Sequence, residues 1–166
     1  NENELVLIDF TISSSEERFF IIDLEDETVI YKKLVSHGKS SGEVYPTKFS
    51  NISESHMSSI GFYVTGNTYN GKYDNSLVIH GQEYTNSKAE ARGVVIHSAD
   101  YATEKYLKRN GRLGRSYGCP ALPHEDYSEI VDLIKEGTTL FIYYKDKKYL
   151  NSSKFLKAQN FLKGFY

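Results

Sequence analysis

The chain has one cysteine in 166 residues, and its neighbours could support nucleophilic chemistry. Cys119 stands between Gly118 and Pro120, so the backbone can turn sharply there and leave the sulfur and nearby amides accessible. A thiolate needs a base or a cation to form at neutral pH, and its attack on a carbonyl needs N–H donors for the oxyanion. His97 is the candidate base, and the amides of Tyr117, Gly118 and Cys119 are the candidate donors.

Two other roles for Cys119 stay open on residue type alone. Free cysteines are usually packed as small hydrophobic side chains, although structural ones are seldom set among Gly, Ser and Arg. A zinc site could combine the thiol with His80, His97 and His124, but these residues lack the close spacing common in such sites. We therefore favour the nucleophile, and we expect no metal and no cofactor.

Further polar residues are candidates for substrate binding. Arg112 and Arg115 flank the thiol and could lower its pKa or bind a carboxylate in a bidentate manner, or they could be solvated loop charges. Ser116 could orient a substrate or cap a turn. His80, like His97, ends a predicted strand and could line the same cleft or be a hydrogen-bonded structural residue. The predicted substrate-binding set is His80, Gly81, Ser98, Arg112, Arg115 and Ser116.

Short β-branched and aromatic runs separated by turns predict a mainly β fold of the β-rich α+β class. Helical spacing of apolar residues marks 123–136, with Gly137 as its stop, and 150–166, with Asn151 or Ser152 as cap. Polar segments at 45–59 and 66–75 predict a long loop and a turn region. The predicted strands cover residues 4–12, 18–23, 28–31, 60–65, 76–80, 92–98 and 138–144.

Length and charge limit the class of protein. The length fits a single domain over residues 1–166. Twenty basic and 22 acidic residues give a formal net charge of −2, so no electrostatic footprint for nucleic acid stands out. The apolar runs are too short to span a bilayer. Without an initiator Met or a signal-like segment at its start, the chain is expected to be a trimmed or mature form.

Two segments carry a close resemblance to the catalytic domains of murein L,D-transpeptidases, cysteine enzymes of the bacterial cell wall. They are Arg-Gly-Val-Val-Ile-His at 92–97 and Gly-Arg-Leu-Gly-Arg-Ser-Tyr-Gly-Cys-Pro-Ala at 111–121. The similarity extends in order over nearly the whole chain. Tyr117 and Ser98 replace the His and Gly of many members, which points to a subgroup with an Arg-Ser-aromatic-Gly-Cys-Pro motif. The long separation of His97 from Cys119 suggests that residues 100–112 form an extra loop over the cleft.

The resemblance implies a sandwich-like β domain with one or two short helices after the catalytic loop. It further implies that Cys119 attacks a peptidoglycan stem peptide, with His97 as base, expels the terminal D-residue, and passes the acyl group to a neighbouring stem in a 3-3 cross-link. A backbone carbonyl near Ser98 or Ala99 is expected to orient the imidazole. The alternatives are an L,D-carboxypeptidase, with water as acceptor, and a catalytically silent peptidoglycan-binding module.

The same resemblance places the protein outside the cytoplasm, in the bacterial periplasm or cell envelope. Its expected partners are peptidoglycan stem peptides. We expect no nucleic-acid partner, no membrane span within this chain and a monomeric state.

Overall fold

The computed structural model describes residues 3–71 and 74–157. Strand content dominates, which confirms the predicted mainly β class. The strands are β1 (Glu4–Asp9), β2 (Phe19–Asp23), β3 (Thr28–Lys33), β4 (Gly61–Gly71), β5 (Asp74–Gly81), β6 (Val95–Ser98), β7 (Ala121–Leu122) and β8 (Thr139–Tyr143). The helices are a 3-10 turn (Asp100–Ala102), α1 (Glu104–Asn110), α2 (Tyr127–Ile134) and α3 (Lys147–Ser152).

All eight strands follow one hydrogen-bonded order, β3-β2-β1-β8-β4-β5-β6-β7. The N-terminal strands form an antiparallel meander, and β8 joins it to β4 by pairing in parallel with β1, where Leu5 lies opposite Thr139. Strands β6 and β7 lie at the far edge and pair in parallel. The two segments that carry the candidate histidine and cysteine therefore meet at one edge of the sheet.

The core lies against one face of this sheet and fixes the strand that carries His97. Alternate residues of β1, Val6 and Ile8, are completely buried, as the period of two in a strand requires. Each such side chain stabilises the fold by roughly 1.5–3 kcal/mol. Helix α2 buries Tyr127 and Ile130, and the Tyr127 hydroxyl lies 2.9 Å from the carbonyl oxygen of Ile96. The helix is thus anchored to the residue before His97.

Three local predictions need correction. The turn region predicted over 66–75 is too long, because β4 continues to Gly71 through a register shift after Thr65 and β5 begins at Asp74. Residues 100–112 are not purely a loop, since they contain the 3-10 turn and α1, which Thr103 caps by accepting a hydrogen bond from the Tyr106 amide.

The predicted C-terminal helix is divided. Helix α3 starts after Asp146, whose carboxylate accepts the Tyr149 amide at 2.8 Å, and it ends at Ser152. Helical residues resume at 154–157 after Ser153, whose hydroxyl lies 3.5 Å from the Leu156 amide, so the cap lies at Ser153 and the predicted cap at Asn151 or Ser152 is wrong. Residues 158–166 of the predicted helix lie outside the described residues. In the part of the chain that the structure describes, no helix is long and apolar enough to cross a membrane.

Candidate active site

Strands β6 and β7 place Cys119 beside His97. Their parallel register sets His97 opposite Ala121. Cys119 lies two residues before Ala121, outside β7, and its sulfur accepts the Val95 amide of β6 at 3.5 Å. Cys119 and His97 therefore come to the same edge of the sheet, where both line one cleft.

Ser116 builds the turn that leads into the cysteine. Its hydroxyl accepts the Gly118 amide at 3.0 Å and donates to the Cys119 carbonyl oxygen at 2.6 Å. Ser116 is buried. The structure thus gives this side chain the turn-capping role that the sequence left open. Because the Gly118 amide is engaged within the turn, it is not available in this conformation as the predicted oxyanion donor.

Position 118 requires glycine. Its φ of +132° lies in a region that other residues rarely adopt, and an added Cβ would come within 2.9 Å of the Met57 carbonyl oxygen. The missing side chain lets residues 57–58 pack against the turn, where the Ser58 hydroxyl donates to the Gly118 carbonyl at 3.3 Å. This close packing holds the backbone on both sides of Cys119.

His97 is held in one orientation by the backbone. Its Nδ1 lies 2.9 Å from the carbonyl oxygen of Ser98, one of the two carbonyls expected from the family resemblance to do this. A carbonyl oxygen only accepts hydrogen bonds, so Nδ1 carries the proton and Nε2 carries the basic lone pair. His97 is 1% exposed, and its ring packs edge-on against the ring of Tyr101, with the two ring centroids 6.4 Å apart.

Burial keeps both groups neutral at rest. It raises the pKa of the Cys119 thiol, and the Val95 amide and the Arg92 guanidinium only partly oppose this effect. Burial also lowers the pKa of His97, although the Ser98 carbonyl acts in the opposite direction. A preformed thiolate–imidazolium pair would instead require a lowered pKa for Cys119 and a raised pKa for His97. Both shifts favour a thiol and a neutral imidazole at pH 7.

The pH dependence of Cys119 alkylation tests this protonation state. With iodoacetamide, we expect the rate to rise with pH and to reach half its maximum at a higher pH in the folded protein than in the urea-unfolded chain. The reason is that burial raises the folded-state pKa of the thiol. The unfolded protein is the matched control, since it contains the same single thiol. A rate plateau extending below pH 7 in the folded protein would contradict the neutral pair.

A cleft of about 550 Å³ opens over the two residues, and its charged lining is positive. Arg92 is one of its cations, and it also fixes the loop 50–59, donating to the carbonyl oxygens of Ser50 at 2.8 Å and Met57 at 2.7 Å. Within the described part of the chain, no acidic residue lines this cleft. The lining comprises Lys39, Arg92, Gly93, Val94, His97, Tyr101, Arg115, Ser116, Tyr117 and Cys119.

The two arginines of the predicted substrate site are engaged by one carboxylate. Arg115 donates to Glu43 at 2.8 Å and to the carbonyl oxygen of Gly42 at 3.0 Å. Arg112 lies 3.3 Å from the other oxygen of Glu43. Arg115 lines the cleft and Arg112 does not. Since both guanidinium groups are paired, neither is poised in this conformation to bind a substrate carboxylate.

The other predicted binding residues lie away from the cleft lining. His80 pairs through Nδ1 with Glu90 at 2.9 Å, and Gly81 lines a separate hollow further along β5. The Ser98 hydroxyl points to His124 Nδ1 at 3.0 Å, so only its carbonyl serves His97. Strand β5 lies next to β6 in the sheet, but the side chains of His80 and Ser98 form hydrogen bonds with residues outside the cleft lining.

A buried arginine supports, through His37, the turn that carries Cys119. Arg18 is completely buried and donates to the carbonyl oxygen of Val35 at 2.7 Å and to His37 Nδ1 at 2.8 Å. Burial lowers the pKa of Arg18 to about 9, and burial together with this cation lowers the pKa of His37 to about 3, so His37 is neutral near pH 7. The His37 carbonyl then accepts the Ser116 amide at 2.9 Å.

Sequence analysis did not single out Arg92, Lys39 or the Arg18–His37 pair. Arg92 had one available signal, since it is a charged residue at the start of the predicted strand 92–98, which leads to the candidate base. Lys39 and Arg18 reach the site only through tertiary contacts. Among the described residues, no group of three His, Cys, Asp or Glu side chains is placed to hold a metal ion.

The sequence profile of the L,D-transpeptidase catalytic domain matches residues 1–143, and the chain belongs to this family. No curated protein matches the sequence.

Solved structures share the fold at low identity. An L,D-transpeptidase from Mycobacterium smegmatis has a TM-score of 0.53 and 15% identity, over 86% of this chain and 59% of that one. L,D-transpeptidase 3 from Mycobacterium tuberculosis has a TM-score of 0.53 and 12% identity, over 86% of this chain and 61% of that one. A helical cell shape determining protein from Campylobacter jejuni has a TM-score of 0.53 and 18% identity, over 87% of this chain and 48% of that one. The present chain thus spans between 48% and 61% of these three chains.

Proposed function

We propose that this chain is the catalytic domain of a peptidoglycan L,D-transpeptidase, with Cys119 as nucleophile and His97 as general base. The observation that carries the proposal is that the only thiol in the sequence and an imidazole oriented by the Ser98 carbonyl line the same cleft at the sheet edge. Membership in the L,D-transpeptidase catalytic domain family supports the reaction class. The proposed substrates are stem peptides of the cell wall, and the proposed location is the periplasm or cell envelope.

In the acylation step, His97 Nε2 takes the proton from the Cys119 thiol as the sulfur attacks the carbonyl carbon before the terminal D-residue. An S–C bond forms, and the carbonyl electrons move to oxygen. When the tetrahedral intermediate collapses, the C–N bond breaks, and the imidazolium returns the proton to the leaving amine. The product is a thioester on Cys119 and a free D-amino acid.

In the transfer step, an amine of a neighbouring stem attacks the thioester. His97 takes the amine proton, a C–N bond forms, the S–C bond breaks, and the proton returns to the sulfur. This restores the resting pair and completes a 3-3 cross-link. Water in place of the amine would release a tripeptide stem by the same proton transfers.

The oxyanion of each intermediate needs N–H donors that the turn has not already used. Among the described residues, the Tyr117 amide has no hydrogen-bond acceptor, whereas the Gly118 amide is donated to Ser116. We therefore assign the Tyr117 amide, with that of Cys119, to the oxyanion. Arg92 adds a positive charge near the sulfur, which favours the anionic species.

Product analysis tests the proposal. The protein is incubated with purified disaccharide-tetrapeptide, and the products are separated and weighed by mass spectrometry. We expect release of the terminal D-residue together with a dimer joined between third residues. The matched control is the same protein with Cys119 alkylated beforehand, which should form neither product.

The product pattern also separates the alternatives. Tripeptide without dimer, at stem concentrations that saturate the enzyme, would indicate a carboxypeptidase. No product with any stem type, from a protein whose thiol alkylates normally, would contradict the proposal and indicate a peptidoglycan-binding module.

A further inference from the structure

The three cations that line the cleft differ in whether other protein groups already bind them. Arg115 is held by Glu43, and Arg92 is held by the loop 50–59. Lys39 is exposed, and within the described residues its ammonium has no carboxylate or carbonyl in hydrogen-bond contact. Of the three cations that line the cleft, Lys39 is thus the one whose donors are not already engaged by oxygen atoms of the described residues.

An aromatic ring holds this ammonium at the mouth of the cleft. Lys39 Nζ lies 4.4 Å from the centroid of the Tyr117 ring, and the His56 ring stacks on Tyr117 at 4.4 Å. Tyr117 is 65% exposed, so the cation is positioned without being removed from solvent. The backbone adds rigidity, since the Lys39 amide donates to the Ser116 carbonyl at 2.8 Å. Lys39 is therefore tied to the turn that carries Cys119.

We propose that Lys39, positioned on the ring of Tyr117, is the anchor for a carboxylate of the stem peptide. The inference rests on the proposed function, because it identifies how that substrate is held. A stem offers carboxylates at its terminal D-residue and on the side chain of its diaminopimelate, and both have the same chemistry. An ammonium with three donors and no competing acid suits either one.

The role of Lys39 differs from that expected of the arginines. A carboxylate entering the cleft finds Arg115 already neutralised by Glu43, and it would have to break that pair to bind there. Lys39 requires no such exchange, because its contact with the Tyr117 ring leaves its donors directed to solvent or ligand. The aromatic residue before Gly118 therefore has a function here, as the platform for the cation.

Binding measurements test the anchor independently of turnover. Calorimetry measures the Kd of disaccharide-tetrapeptide for Cys119→Ala and for Lys39→Met combined with Cys119→Ala. We expect the added Lys39→Met change to raise Kd about tenfold, as the loss of a hydrogen bond to a charged group would. Lys39→Arg should largely restore binding. Lys32→Met, which removes an exposed lysine of β3 remote from the cleft, is the matched control and should leave Kd unchanged.

Amidated ligands identify the carboxylate. The same proteins are titrated with stems amidated either at the terminal D-residue or at the diaminopimelate side chain. The anchored carboxylate is the one whose amidation alone raises Kd about tenfold and abolishes any further effect of Lys39→Met. If Lys39→Met weakened the binding of the unmodified stem and of both amidated stems equally, Lys39 would have a structural role and the proposal would be overturned. The proposal would also be overturned if Lys39→Met weakened the binding of none of the three ligands, or if none of them bound. Failure of turnover with intact Lys39-dependent binding would instead contradict the proposed function alone.

Discussion

Replacing Cys119 by alanine is expected to abolish both thioester formation and product release. The thiol is the only one in the chain, and the Ser116 hydroxyl that also lines the cleft is already held by hydrogen bonds within the turn. Cys119→Ser is expected to retain less than about one thousandth of the wild-type turnover. A hydroxyl is far less acidic than a thiol, and burial makes the imidazole a weaker base than usual.

Acid-quenched intact-mass spectrometry measures the thioester, and chromatography of the stem products measures turnover. Thermal unfolding is the control for folding, and neither substitution should lower the melting temperature much, because both retain the Cβ and leave the Ser116 turn in place. Substantial turnover by Cys119→Ala would contradict the proposed nucleophile.

Much of the fold could be predicted because local residue patterns determine it. Alternation and β-branched runs predicted the strands, and the apolar face of α2 follows from Tyr127, Ile130 and Ile134. Helix α1 was missed because it buries none of its seven residues, so it has no apolar periodicity to detect. The second half of β4 was missed because its glycines and asparagines are typical of turns, whereas a bulge lets the strand continue.

The candidate site was predictable only where its residues are close in sequence or share a motif. The turn at Ser116 and the carbonyl next to His97 involve near neighbours. The pairing of Arg112 and Arg115 with Glu43 depends on a residue far away in the chain, and no local pattern reports it. The same is true of Lys39, which reaches the cleft because Gly38 forms a bridge to Ser116.

Replacing His97 by glutamine is expected to slow acylation of Cys119 by about 10²–10⁴-fold at neutral pH, the usual contribution of a general base. Glutamine can still form a hydrogen bond, but it cannot take the thiol proton. The measurement is the single-turnover rate of thioester formation, with intact-mass detection. Raising the pH should recover part of the rate, because solvent hydroxide can then deprotonate the thiol.

The pH profile distinguishes a base from a positioning residue. Burial lowers the pKa of His97, so the wild-type imidazole stays unprotonated as the pH falls past its ordinary value of about 6.5. The kcat/KM of the wild type should therefore decline only below that pH, as the imidazole gains a proton. His97→Gln should lack this acidic limb, because it has no group at that position to titrate. An identical acidic limb in both proteins would mean that another residue supplies the base, whatever the size of the rate loss.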